Sequence, residues 1–214
     1  MANIIPMSGA GTRFSKQGYK LPKPLIPVSG KPMIIQAIRT LPKTDKWIFI
    51  VREEHVHEYA IDTLIKQEVP DAIIIIDKDP HGQASTCALA LPHLAPNEPM
   101  FVAACDNSFL YDTEKYSQLE KDLDLDAVVW TFTKHSSLKE KPESWGWVKL
   151  EEDGLTIKDM SVKIPVSDTP YNDHAVVATF YFRRSADFKE AYDLMVKEGY
   201  RTNGEFYIDA MPIF

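Results

Sequence analysis

The chain has 214 residues, 44% of them hydrophobic, and carries 24 Lys and Arg against 31 Asp and Glu, a net charge of -7. That length suits one α/β domain with a sizeable core, and the composition excludes a disordered or low-complexity chain. The acidic balance argues against nucleic acid as a partner, because backbone binding needs a broad basic face. No apolar run reaches the ~18–20 residues that span a bilayer, so no membrane role is expected. The opening Met1-Ala2-Asn3-Ile4-Ile5-Pro6 lacks the charged and apolar regions of a signal peptide, and a cytoplasmic location is expected.

In chain order, Asn3 to Met7 is a short β-type run, Lys31 to Leu41 has helical spacing through Ile34, Ile35 and Ile38, and Trp47 to Val51 is a buried strand. A polar helix is expected from Glu53 to about Val69, with Val56, Tyr59, Ala60 and Leu64 on one face, and then a fully apolar strand from Ala72 to Ile76. Gln83 to Leu91 reads as helix, Met100 to Cys105 as a strand ending at Asp106, and Thr113 to about Leu123 as helix. Repeated βαβ units with continuous apolar strands predict a Rossmann-like, mainly parallel sheet flanked by helices. After Asp126 the strands lengthen and alternate, at Ala127 to Thr133, Trp145 to Leu150, Leu155 to Val162 and Ala175 to Phe182, before a helix at about Ala186 to Lys197. A smaller, partly antiparallel lobe is expected there. With no Gly- or Ser-rich linker between the halves, they read as lobes of one domain, about 1–125 and about 126–214. The chain stops inside the apolar run Ala210-Met211-Pro212-Ile213-Phe214, which reads as a piece of something longer. Cys87 and Cys105 lie in apolar runs without ligand spacing and read as reduced core residues. His55 and His57 are two apart on a helix, cannot form a metal pair, and are expected at the surface.

The charge is unevenly distributed. Residues 1–44 hold seven of the cations and no acidic residue, leaving 17 cations against 31 anions in the rest. Within that segment, Ser8-Gly9-Ala10-Gly11-Thr12-Arg13 follows an apolar run, and cationic glycine-rich backbone is suited to small anions. Nothing matches GxxxxGK[ST], which excludes a P-loop. A dinucleotide fingerprint fails as well, because Phe14 occupies the third glycine position and no acidic residue lies about 20 positions on. What remains is GxGxR, followed by Pro22-Lys23-Pro24-Leu25 and then Gly30-Lys31-Pro32-Met33.

With these motifs the chain resembles the sugar-phosphate nucleotidylyltransferases, or NDP-sugar pyrophosphorylases. Later landmarks fall in the family's order: Gly82-Gln83-Ala84, Asp106 at a strand end, Trp145-Gly146-Trp147-Val148 and Val162-Lys163-Ile164-Pro165. The resemblance implies that backbone amides around Ser8, Gly9, Ala10, Gly11 and Thr12 cradle nucleotide phosphates. It implies that Arg13 neutralises the leaving pyrophosphate and that Lys23 meets charge building up at the α-phosphate. Asp106 would hold Mg²⁺. Glu205 and Asp209 are candidates for a second acidic ligand, although the family's position could lie beyond Phe214. Gly82 and Gln83 would contact the base and ribose, while Gly146 and Lys163 would hold a phosphorylated acceptor. Trp145 and Trp147 share a strand face and divide evenly between sheet packing and acceptor binding. Asp173 and His174 read as structural.

Asp77 stands where many relatives carry Gln. A carboxylate only accepts hydrogen bonds, so it would favour cytosine N4 over the O4 of uracil or thymine, and CTP is the expected nucleotide. The implied reaction is in-line attack of an acceptor oxygen on the α-phosphorus of an NTP, releasing pyrophosphate, with a sugar 1-phosphate as first acceptor and phosphocholine or another small phosphorylated alcohol or phosphonate as second. A silent nucleotide- or sugar-phosphate-binding module is the rival of another class. A glycosyltransferase would show a DxD motif, which Asp106-Asn107-Ser108 does not supply.

Overall fold

A computed structural model describes residues 1–214, the side chain of Ile213 excepted. Strand β1 (Ala2–Met7) is apolar almost throughout because it lies mid-sheet, with parallel neighbours β4 (Lys46–Arg52) and β6 (Met100–Val102) on either side. β5 (Ile73–Asp77) closes this half in parallel with β4. It is an edge strand, so its isoleucines are only partly covered and Ile76 is 37% exposed.

The second half extends the same sheet. β10 (His174–Phe182) runs antiparallel to β6, and β8 (Gly146–Leu150) and β9 (Ile157–Val162) follow it outward, while β7 (Ala127–Phe132) also pairs with β10. A separate hairpin pairs β2 (Pro27–Val28) with β3 (Lys31–Pro32). The helices are α1 (Thr12–Lys16), α2 (Met33–Ile38), α3 (Glu53–Tyr59), α4 (Ile61–Glu68), α5 (Gln83–Ala88), α6 (Thr113–Leu119), α7 (Ser137–Glu140) and α8 (Ser185–Glu198).

The period of two along the strands builds a core on each face of the sheet. Ile4, Ile48, Ile50, Phe180 and Phe188 enter one cluster, and Ile5, Phe49, Val51, Phe101 and Tyr181 enter the other. Each such side chain contributes roughly 1.5–3 kcal/mol by leaving water.

Several elements are shorter than the sequence pattern suggests. The helix expected from Glu53 to Val69 is two, because Ala60 takes a left-handed φ of 49° between them. Contrary to expectation His55, on the first of them, faces inward: it is 5% exposed with Nδ1 unpartnered, and burial lowers its pKa, whereas His57 stays exposed. Lys31 and Pro32 belong to the hairpin rather than to a helix reaching Leu41. The strand expected to run to Cys105 ends at Val102, and the helix expected to reach Leu123 ends at Leu119, its start capped by the Asp112 carboxylate accepting from the Glu114 and Lys115 amides. Cys87 and Cys105 are free thiols in the interior.

Candidate active site

The carboxyl ends of parallel strands are where open α/β sheets leave room for ligands. Here three hollows of about 510, 270 and 360 Å³ meet at Pro6, which lines all of them at the end of β1. Arg13, Phe14, Lys23 and Cys105 line the first two, and Gln83 and Tyr207 line the first and third. The largest hollow brings together groups far apart in sequence: Arg13, Lys23, Asp106, Trp145, Gly146 and Asp209.

Lys23 Nζ lies 2.5 Å from Asp106 Oδ2. Burial lowers the ammonium's pKa, but the Cys105 and Asp106 charges outweigh it and the net effect is a raised value, so Lys23 keeps its charge. Burial pushes the Cys105 thiol up to about 11. Asp209 is 8% exposed, and desolvation pushes its carboxyl up to about 7 against the pull of its own backbone N–H and the Lys163 charge. Lys163 does not line the large hollow; its Nζ lies 5.0 Å from the Tyr207 ring centroid.

In the loop after β1, Gly9 and Ala10 are exposed, with Thr12 and Arg13 beginning α1. Gly11 has a left-handed φ of 60°, and a Cβ there would stand 3.2 Å from the Lys23 Cβ, so the glycine lets the two basic segments touch. Ser8 is different, because its Oγ is buried and donates to Asp77 Oδ2 at 2.7 Å.

Asp77 requires a correction. Its Oδ2 also accepts from Thr86 Oγ1 at 2.8 Å, its Oδ1 accepts from the Asp79 amide at 3.2 Å, and the residue is 7% exposed. The carboxylate is taken up inside the protein and lines none of the three hollows, so it does not present itself to a base.

Gly82 precedes α5 with φ of 112°, and Gln83 opens the helix. Trp147 is fully buried against Leu138 and Ala175, whereas Trp145 packs edge-on against Phe132 and lines the cavity; the shared strand face divides between packing and cavity wall. His174 bonds Thr131 Oγ1 and Asp173 accepts from Ser167, both within the protein.

Two residues escaped the sequence reading. Arg52 ends β4 and donates from Nη1 to the Ser8 carbonyl at 3.0 Å; a cation closing an apolar strand was the available signal. Asn107 donates from Nδ2 to the Val177 carbonyl at 2.9 Å, joining the Asp106 loop to a bulge in β10 where Ala178 takes φ of 54°. No local sequence signal announces that bulge.

This architecture is that of the nucleotide-binding α/β class. The chain belongs to the MobA-like NTP transferase domain family, whose model matches residues 4–138, and the resemblance to sugar-phosphate nucleotidylyltransferases stands. A mannose-1-phosphate guanyltransferase of Debaryomyces hansenii is 26% identical over 170 residues, covering 78% of this chain and 46% of that relative. The chain thus spans about half the length of the curated relatives it matches. Among solved structures, the nucleoside-diphosphate-sugar pyrophosphorylase of Vibrio cholerae RC9 superposes with a TM-score of 0.73 at 22% identity, over 98% of this chain and 85% of that one. The inositol-1-phosphate CTP transferase of T. maritima gives 0.71 at 20% identity, over 99% and 79%. At these identities the superpositions speak for the fold.

Proposed function

We propose that this protein transfers a nucleoside monophosphate from an NTP to a sugar 1-phosphate, releasing pyrophosphate and forming a nucleotide sugar. The observation that carries the reading is the meeting of Arg13, Lys23, Asp106 and Asp209 in one hollow with Trp145 and Gly146 of the second lobe. Residues of about 1–125 supply most of the nucleotide side and residues of about 126–214 the acceptor side, with Glu205 of the second lobe reaching the nucleotide hollow. The acceptor oxygen attacks the α-phosphorus in line, and the protein contributes position and charge. Exposed Arg13, on the first turn of α1, meets the leaving pyrophosphate. Lys23, kept protonated beside Asp106, meets the charge that builds up at phosphorus. By resemblance Lys163, whose Nζ lies over the ring of the hollow-lining Tyr207, would meet the acceptor's phosphate.

The donor set fits a hard divalent cation. Two carboxylates, Asp106 and Asp209, line the same hollow and are oxygen donors of the kind such an ion takes; desolvation makes the Asp209 carboxyl hold its proton more tightly than usual, and the charge of a bound cation would displace it. Mg²⁺ held there would neutralise phosphate charge.

CTP, the nucleotide expected from Asp77, loses the basis of that expectation with the inward turn of the carboxylate. Pyrophosphate release is measured with Mg²⁺, each of CTP, UTP, dTTP, ATP and GTP, and a panel of sugar 1-phosphates, phosphocholine and phosphonates. Acceptor-dependent release that Lys23→Ala abolishes is the expected result. A folded protein that binds an NTP and releases nothing would instead be the silent module.

A further inference from the structure

The hollow of about 360 Å³ above the start of α5 carries two charged side chains of opposite sign, Arg52 and Glu205. Arg52 is half-buried and held by its bond to the Ser8 carbonyl, which uses one of its five N–H donors. Glu205 Oε2 accepts from Tyr207 Oη at 2.7 Å, and the backbone beneath it is pinned. Phe206 N–H donates to the His81 carbonyl at 2.9 Å, and the Phe206 carbonyl accepts from the Ala84 N–H at 3.0 Å. Among the described residues, neither charge has an ion-pair partner within 4.0 Å, and they do not pair with each other. Opposite charges lining one hollow and unpaired offer a donor on one wall and an acceptor on another to a polar group bound there.

We propose that Arg52 and Glu205 read the nucleobase of the NTP, and that the base they select is guanine; this rests on the nucleotidyltransferase reading above. A guanidinium only donates and a carboxylate only accepts. Guanine meets both with two contacts each: O6 and N7 face the fork of Arg52, while N1–H and the N2 amino group face the Glu205 carboxylate. Cytosine offers the carboxylate a single amino group. Uracil and thymine set carbonyl oxygens on both sides of their one N–H, so the carboxylate repels them, and a site built to hydrogen-bond one edge rejects a base that lacks it. Bidentate base contacts of this kind discriminate roughly 10- to 100-fold.

The test is equilibrium binding of GTP, CTP, ATP, UTP and dTTP by isothermal titration calorimetry to the full chain, its Glu205→Gln variant and its Arg52→Lys variant. GTP is expected to bind at least ~10-fold more tightly than UTP. Glu205→Gln, at an exposed side chain, should keep the melting temperature and close most of that gap, since an amide also donates to O4. Arg52→Lys keeps a donor for the Ser8 carbonyl but loses the fork, and should weaken GTP more than UTP. Binding that favours a pyrimidine, or a GTP-to-UTP ratio that Glu205→Gln leaves unchanged in a folded protein, overturns the base assignment alone. A folded protein that binds none of the five overturns the transfer reaction and the base assignment together.

Discussion

Gly82 offers the sharpest structural test, because its environment forbids a side chain on two separate grounds. Its φ of 112° and ψ of 170° lie in a region essentially reserved for glycine, which costs another residue about 1–3 kcal/mol. A Cβ would also stand 2.5 Å from the Phe206 carbonyl oxygen and 2.6 Å from the Phe206 nitrogen, both backbone atoms held by hydrogen bonds, so relief requires moving the segment. Overpacking of that kind costs a further ~1–3 kcal/mol. Gly82→Ala should therefore lose about 4 kcal/mol, which in a chain of this size lowers the melting temperature by roughly 8–16 °C. Gly9→Ala is the internal control, since nothing lies within 4 Å of a Cβ there and its φ is ordinary; a change below ~0.5 kcal/mol is expected. Differential scanning calorimetry of both variants decides the matter. A Gly82→Ala protein melting within about 2 °C of the parent would refute the packing argument.

Asp209 titrates near 7 folded against 3.8 in the open chain, so the folded state holds its proton longer and stability falls as pH rises from about 4 through 7. Asp209→Asn removes a cost of roughly 4 kcal/mol at pH 8 and almost none at pH 4, so its melting temperature should exceed the parent's at pH 8 in metal-free buffer and converge at low pH. Asn107→Ala unties the Asp106 loop from the β10 bulge and should raise the acceptor KM and weaken NTP binding together in paired kinetics and calorimetry, because Asn107 lines the hollow that Arg13, Lys23 and Asp106 share. Ala178→Gly relieves a left-handed φ of 54° and should stabilise by about 1 kcal/mol in denaturant titration; equal or lower stability would remove strain from the account of the bulge.

The parallel half of the fold was legible because buried strands write themselves as unbroken apolar runs, as Ile4-Ile5 and Ile48-Phe49-Ile50-Val51 do. The cationic loop was legible for a similar reason, since glycine spacing and charge are local. Boundaries decided by one backbone angle were not: Ala60 is unremarkable in sequence, yet its left-handed turn splits a helix. Asp77 failed differently. Its chemistry was read as free to meet a base, while Ser8 and Thr86, 69 and 9 positions away, consume its acceptors. Hydrogen-bond partners at that separation leave no trace in a local pattern.

The two glycines of the later motifs also gain a second meaning from the structure. By resemblance each faces a ligand, Gly82 the base and Gly146 the acceptor. Both also seat one short stretch of chain: Gly82 lies against Phe206, and a Cβ on Gly146 would collide with the Asp209 carboxylate. Residues 205 to 209 therefore rest on α5 of the first half and β8 of the second at once, with Phe206 and Ile208 buried in the core and Glu205, Tyr207 and Asp209 turned toward the hollows. The stretch passes from extended backbone at Tyr207 into a 3₁₀ turn that begins at Ile208, and it serves as a clasp, one side for cohesion and the other for chemistry. It follows that changes at Phe206 or Ile208, which line none of these three hollows, should displace Glu205 and Asp209 together. Phe206→Ala should lower nucleotide affinity and shift the pH dependence set by Asp209 in the same protein, whereas independent side-chain roles would move one and spare the other.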